Sequence, residues 1–123
     1  MKSGRLDPLT TKKQAENPAQ PVDALRVGIL LWPSFPLMSF AGLVESLRHA
    51  GDHGDDSNPR YARWDVIGPV NVAMRSSCGV PISPSSDYVA PSRYDHLFVI
   101  GGLLRDLDTA PSQHSAFIRA AHR

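Results

Sequence analysis

The chain has 123 residues, of which 41% are hydrophobic and 20% are charged. This length suits one domain, and the composition is that of a globular protein rather than a disordered or membrane-embedded one. Thirteen lysines and arginines stand against twelve aspartates and glutamates, and the resulting formal charge of +1 argues against a nucleic-acid-binding surface.

Cysteine content and hydropathy limit the cellular compartments in which the protein is expected. Cys78 is the only cysteine, so an internal disulfide framework is excluded and a reducing environment fits. The polar N-terminus does not resemble a secretory signal, and no apolar run approaches the length of a transmembrane helix. We therefore predict a cytoplasmic protein with no membrane partner.

The first part of the chain, residues 1–25, mixes basic, acidic and proline residues without apolar periodicity. This pattern predicts a disordered N-terminal arm without a function of its own. The alternative is a basic arm that contacts nucleic acid, but acidic residues dilute its positive charge.

The next elements predicted are a buried strand, a loop and a helix. Residues 26–32 form a continuous apolar run, which is typical of a strand buried on both faces of a parallel sheet. Two prolines make residues 33–36 a loop. Helical spacing then follows at Leu37, Phe40, Ala41, Val44 and Leu47. Gly51 is the predicted C-cap of this helix.

The second half reads as short strands and one weak helix. Residues 64–67 and 70–74 are predicted strands, and Gly79 turns the chain so that residues 80–82 pair back as a hairpin. His96–Ile100 has the pattern of another buried strand. Residues 112–122 are a weak predicted helix with Ser112 as its N-cap.

Strand, helix, β excursion, strand and helix, in this order, predict a doubly wound α/β fold. The sheet is expected to be mainly parallel, with a β-hairpin excursion. Ligands of such sheets bind beyond the carboxyl ends of the strands. Both the loop at residues 33–35 and the glycine pair Gly101-Gly102 are expected at that edge.

Two features could carry chemistry there, and each has a simpler interpretation. Glu45 lies on a largely apolar helix, where it is either a solvated side chain or a partly buried acid with a raised pKa. Gly101-Gly102 is either an ordinary turn or a place where backbone N–H groups can face an oxyanion.

Other candidate sites are weaker. Cys78 is predicted at a hairpin turn as a surface thiol rather than a nucleophile. The acidic and histidine-containing loop after the helix matches no EF-hand or helical zinc spacing, so no metal site is predicted. No serine lies in a nucleophile elbow, so no Ser-His-Asp triad is predicted.

The order of several short motifs resembles the PfpI-like, class I glutamine amidotransferase-like domain. More narrowly, it is similar to the version found at the N-terminus of AraC-type (GlxA-like) transcriptional regulators. The matching segments are Pro33-Ser34-Phe35, Ser39-Phe40, Val44-Glu45-Ser46-Leu47-Arg48, residues 61–67, Arg75-Ser76-Ser77-Cys78-Gly79, Tyr94-Asp95 and Gly101-Gly102.

This resemblance covers residues 26–123 and implies a flavodoxin-like α/β fold. In enzymes of the wider superfamily, a glutamate of the first helix lies beside a cysteine elbow, and the glycine pair contributes to the oxyanion hole. The elbow and the regulators' helix-turn-helix are expected after residue 123, so the domain is expected to be truncated at its C-terminal side. Ser34 stands where glycine is common.

The resemblance implies the ligand-sensing and dimerising part of an AraC-family regulator. Its expected partners are a small metabolite, often nitrogen-containing, a second copy of the chain, and DNA through a domain that this chain lacks. No cofactor, metal or catalytic activity is expected. The expected ligand-binding residues are Phe35, Glu45, Gly101 and Gly102. The alternative is a fragment of a PfpI-like hydrolase or glyoxalase-type enzyme without its nucleophile elbow.

Overall fold

A computed structural model describes residues 23–54 and 57–123 of the chain. The predicted arm therefore lies outside the described residues up to position 22. The strands are β1 (Leu25–Leu31), β2 (Ala62–Val66), β3 (Met74–Arg75), β4 (Pro81–Ile82) and β5 (His96–Ile100). The helices are α1 (Leu37–Ala50) and α2 (Ser112–Ala121), and two 3₁₀ turns cover Pro91–Arg93 and Leu104–Thr109.

Three of the strands form one parallel sheet in the order β2-β1-β5. Ile29 of β1 lies beside Val66 on one side and Phe98 on the other. Strands β3 and β4 form a separate antiparallel hairpin between β2 and β5. These findings confirm the predicted mainly parallel α/β fold and its β-hairpin excursion.

One face of the sheet is covered by α1. Alternate residues of β1, namely Val27, Ile29 and Leu31, are fully or almost fully buried there, together with Phe35. The apolar side of α1 packs against them through half-buried residues such as Phe40 and Leu47. Burial of each large apolar side chain stabilises the fold by about 1.5–3 kcal/mol.

The opposite face is covered by α2 and the segment before β5. Leu30 of β1 and Ile67 are fully buried there against Phe117 of α2. Gly28 makes room on this face, because a Cβ on it would lie 2.8 Å from the Ile67 side chain and 3.2 Å from the Tyr94 ring. With one helix on each face of β1, the domain is doubly wound.

Two strand predictions need correction. Residues 70–74 alternate as a strand would, but only Met74 belongs to one, and residues 70–71 form a turn. The apolar run of β5 predicted burial on both faces, yet Phe98 is 43% and Val99 is 47% exposed. The reason is position: β5 is an edge strand of the three-stranded sheet, and no described strand covers its outer side.

The start of α2 differs from the prediction, whereas the end of α1 agrees with it. Helix α2 begins at Ser112 itself, with Pro111 at the N-cap position and no side-chain cap. Gly51 is the C-cap of α1, as predicted; its φ is −93°, and its N–H donates to the Leu47 carbonyl at 2.9 Å. A Cβ there would lie 2.6 Å from the Cβ of Ala62 and 2.7 Å from its backbone nitrogen, so the close approach of β2 also requires a glycine at this position.

Within the described ranges, no helix combines the length and the apolar character needed to cross a bilayer.

Candidate functional site

The carboxyl ends of β1 and β5 bring the two predicted loops into direct contact. The Trp32 N–H donates to the Ile100 carbonyl at 2.9 Å, which continues the pairing of the two strands. Gly102 then packs against the Pro33 carbonyl so closely that a Cβ on Gly102 would lie 1.9 Å from that oxygen. Gly101 has open space around its missing Cβ. The two glycines therefore have different roles in one loop.

Ser34 connects this loop to its neighbours. Its backbone has a φ of 64°, a left-handed conformation that is uncommon for residues other than glycine. The Ser34 N–H donates to the Arg75 carbonyl at 2.8 Å, and the hydroxyl donates to Asp106 Oδ2 at 2.6 Å. These two bonds hold Ser34 in its strained conformation. A glycine would adopt this conformation without strain, but it could not form the side-chain bond to Asp106.

The β3–β4 hairpin packs under the same loop. Phe35 forms a parallel bridge with Ser76, and the Ser77 N–H donates to the Phe35 carbonyl at 2.8 Å. The Phe35 ring itself has no exposed surface and packs edge-on against Phe40, 5.9 Å away between centroids. Phe35 is therefore part of the core under this edge, and its backbone N–H and carbonyl are already bonded to Trp32 and Ser77.

Cys78 lies in the turn of the same hairpin, as predicted, and its thiol is exposed. The hydrogen bond between Cys78 Sγ and Ser76 Oγ, at 3.2 Å, is the main cause that lowers the pKa of the Cys78 thiol. The Ser76 hydroxyl also accepts the Val80 N–H at 3.0 Å and so closes the turn.

Glu45 lies on the exposed side of α1. Its side chain is 61% exposed, and Oε2 lies 3.3 Å from Nε of Arg48, one turn along the helix. The position matches the interpretation of Glu45 as a solvated side chain in the described structure. Its role toward a ligand stays a prediction, as do those of Phe35, Gly101 and Gly102.

This edge of the sheet offers backbone N–H groups that could donate hydrogen bonds to a ligand. Within residues 23–54 and 57–123, the amides of Gly101 and Gly102 donate no backbone hydrogen bond outside the strand ladder. The Asp106 carboxylate, 28% exposed, lies at the same edge and is held by Ser34. Amide donors beside a carboxylate acceptor can bind a small molecule that carries both kinds of polar group.

Sequence reasoning missed a buried histidine behind this edge. His114 of α2 has no exposed surface. Its Nε2 lies 3.0 Å from the Leu31 carbonyl, and its Nδ1 lies 2.6 Å from the Tyr88 hydroxyl. A neutral ring that donates from Nε2 and accepts at Nδ1 satisfies both contacts. The available signal was a histidine one helical turn before Phe117, on the apolar side of a predicted helix.

Burial controls the protonation of this pair. It lowers the pKa of His114, although the hydrogen bond to Leu31 acts in the opposite direction. Burial, with a smaller contribution from the charge of Asp87, raises the pKa of Tyr88 to about 12. Both groups are therefore neutral at pH 7. Trp32 packs edge-on against His114 at 5.1 Å, so α2 is attached to the carboxyl end of β1.

Two solved structures share this fold. A DJ-1 superfamily protein from Agrobacterium tumefaciens is similar with a TM-score of 0.59 and 19% identity, over 80% of this chain and 48% of that protein. A ThiJ/PfpI family protein from Pseudomonas syringae has a TM-score of 0.60 and 17% identity, over 89% of this chain and 41% of that protein.

These similarities establish a DJ-1/PfpI-type flavodoxin-like fold for the described chain. The chain spans less than half the length of either protein. No model of a known protein family matches it. A search of curated proteins gives no match either.

Proposed function

We propose that the chain is the ligand-sensing and dimerising part of an AraC-family transcriptional regulator. Two observations support the proposal: the ordered motifs from Pro33 to Gly102, and the meeting of the two loops at the carboxyl edge. The observation that carries it is the close contact of Gly102 with the Pro33 carbonyl, which brings the two loops together at this edge.

A small, nitrogen-containing metabolite fits the polar groups of this edge. The amides of Gly101 and Gly102 would donate to a carboxylate or carbonyl oxygen of the ligand. The Asp106 carboxylate would accept from an amino or amide group, while Ser34 keeps it in position. Glu45 would contribute from α1 only if other parts of the intact protein bring the ligand toward that helix.

In this proposal, DNA is bound by a domain outside this chain, and two copies associate to present two such domains. The compartment is the cytoplasm. No cofactor or metal takes part. A dimer fits this role because a protein with two-fold symmetry can bind both half-sites of a palindromic operator.

The ligand step is testable with a matched pair of variants at Gly101. Gly101→Pro removes the amide hydrogen, whereas Gly101→Ala keeps it, and a Cβ at this position meets no atom within 4 Å. Metabolites that raise the melting temperature of the native gene product are identified first. We expect the proline variant to lose this stabilisation and the alanine variant to keep it. Equal responses of the two variants would contradict binding at the glycine amide.

The regulator context is tested first by the intact mass of the native gene product and the reading frame beyond codon 123. A product much larger than 13.4 kDa with a helix-turn-helix would support regulation.

The alternative, a fragment of a PfpI-like hydrolase or glyoxalase-type enzyme, is equally compatible with the shared fold. A downstream cysteine elbow followed by a histidine, without a DNA-binding domain, would favour that alternative.

We expect no catalysis from this chain alone. The test compares ester, amide and methylglyoxal turnover by the wild type and by Glu45→Ala. Because Glu45 is exposed and, among the described residues, pairs only with Arg48, the substitution should leave folding unchanged within about 0.5 kcal/mol. Turnover that Glu45→Ala abolishes would overturn both this expectation and the regulator proposal.

A further inference from the structure

We infer that the amino-terminal end of the sheet holds a second binding site, for a small molecule with a phosphate or carboxylate group. A cavity of about 130 Å³ opens there between β1, β2 and the turn before β5. Its lining includes three arginines, Arg26, Arg63 and Arg93, and two aromatic residues, Trp64 and Tyr94. It lies at the opposite end of the strands from the loops of the proposed sensor site.

The strand register brings two of the arginines together. Arg26 and Arg63 are direct neighbours across the parallel pair β1 and β2. Directly opposed residues on adjacent strands point to the same face, and equal charges side by side are destabilising. Two guanidinium groups at this position therefore require compensation by nearby negative charge.

Asp95 compensates only one of them. It accepts from Arg26 through both carboxylate oxygens, with Nη2 at 3.0 Å from Oδ1 and Nε at 3.3 Å from Oδ2. The backbone N–H of Arg26 adds a third bond at 2.9 Å. This pair is fixed in geometry and neutral in charge, so Arg26 forms a wall of the cavity.

Arg63 and Arg93 have no such fixed partner among the described residues. Over the described part of the chain, neither forms an ion pair or a side-chain hydrogen bond, and both are exposed. Arg63 lies in β2 and Arg93 ends the 3₁₀ turn Pro91–Arg93, so both side chains start from a backbone of regular structure. Planar guanidinium forks match the two oxygens of a carboxylate or phosphate.

Tyr94 forms the floor of the cavity, and its hydroxyl already has a hydrogen-bond partner. The ring of Tyr94 lies over Gly28, where a side chain would leave it no room, and its hydroxyl donates to Asp65 Oδ2 at 3.0 Å. Burial is the main cause that raises the pKa of Tyr94 and keeps this donor protonated. Asp65 and Asp95 together offset two of the three arginine charges, so one positive charge is left for an incoming anion.

The size of the cavity limits the ligand. A volume of about 130 Å³ corresponds to about four water molecules at about 30 Å³ each. This space suits one phosphate or carboxylate group, with the rest of the ligand outside the cavity. We therefore assign recognition of the anionic group to Arg63 and Arg93.

The experiment is a titration of the full chain with inorganic phosphate and, separately, with acetate, at constant ionic strength, followed by amide NMR shifts. We expect saturable shifts at Arg63, Arg93 and Tyr94, with the preferred anion identifying the ligand class. Arg63→Gln and Arg93→Gln should each weaken binding about tenfold. Arg119→Gln removes the same charge from the exposed surface of α2 and should leave affinity unchanged.

Three results would overturn the inference. The first is the absence of saturable binding of either anion at about 10 mM, where even a Kd of about 1 mM would be visible. The second is equal weakening by Arg119→Gln, which would mean general charge attraction. The third is a set of shifts confined to Gly101 and Gly102, which would place the anion at the other end. Arg63→Lys, which keeps the charge but not the fork, should weaken binding to an intermediate degree.

Discussion

The two ends of the three-stranded sheet are held together by different forces. At the carboxyl end, backbone contacts dominate: Gly102 touches the Pro33 carbonyl, and Ser34 adopts a left-handed conformation. At the amino end, side-chain charges dominate, with Arg26 and Asp95 forming an exposed, bidentate pair. The first arrangement leaves no room for an added atom at Gly102, whereas the second tolerates substitution but responds to ions.

This difference explains which end suits which ligand. Rigid backbone groups at the carboxyl end offer donors in fixed positions, and such preorganised donors discriminate between ligands by shape. The guanidinium groups at the amino end attract any anion and discriminate by charge. The following predictions test the contrast, from the largest expected effect to the smallest.

The largest effect is expected from Gly102→Ala. A methyl group 1.9 Å from the Pro33 oxygen must displace the loop, and such overpacking costs about 3 kcal/mol. Gly101→Ala is the control, since its Cβ meets no atom within 4 Å. Urea unfolding of both variants gives the comparison. Equal stability of the two would show that the loop is not held by backbone contact.

His114→Ala should rank second, at about 2 kcal/mol. The substitution removes a fully buried ring and leaves the Tyr88 hydroxyl without its acceptor. His122→Ala is the control, because His122 is an exposed residue just after α2. Thermal unfolding by circular dichroism measures both. A loss no larger than that of the control would contradict the role of His114 in attaching α2.

Ser34 should show a smaller loss of stability, whose size depends on the substitution. Ser34→Ala keeps the left-handed strain and loses the bond to Asp106, at a cost of about 1.5 kcal/mol. Ser34→Gly loses the same bond but relieves about 1 kcal/mol of backbone strain. Urea unfolding should therefore rank glycine above alanine. The reverse order would show that φ at this position is not strained.

The smallest effects are expected from pH, with a different window for each end. The folded-state pKa of His114 lies below the ordinary value of 6.5, so the unfolded chain binds the proton first and stability falls as pH drops below 6.5. The hydrogen bond with Arg26 is the main cause that lowers the pKa of Asp95 from 3.8, so its contribution is lost only below that pH.

Two variants separate these windows in urea unfolding measured from pH 7 to pH 3. His114→Gln should remove the upper part of the pH dependence, and Asp95→Asn the lower part. If His114→Gln left the slope between pH 6.5 and pH 5 unchanged, another group would be responsible for it. Glutamine and asparagine do not titrate, so each variant isolates one group.

Local patterns predicted most of the fold. The continuous apolar run of β1 indicated a strand buried on both faces, and its fully buried residues confirm this. The helical spacing from Leu37 predicted the start of α1, which begins at that residue. These elements were accessible because their periodicity reports the burial of each side chain directly.

Predictions failed where the neighbours of a segment decide its state. Residues 70–74 alternate like a strand but have no described partner strand over most of their length, so they form a turn and a short bridge to β4. β5 has the composition of an interior strand and occupies an edge. Strand formation depends on pairing, and pairing is not encoded in local alternation.

The candidate site likewise combines features that the sequence determined with features that only the tertiary structure decided. The sequence by itself determined the order of elements, the parallel sheet, and the placement of the two loops at its carboxyl edge, because these follow from periodicity and chain order. Only the tertiary structure decided that Gly102 is required by the Pro33 carbonyl, that His114 is buried between Leu31 and Tyr88, and that Arg63 lies beside Arg26. Those contacts join residues distant in the chain, and their distances arise only when the whole sheet and its helices pack together.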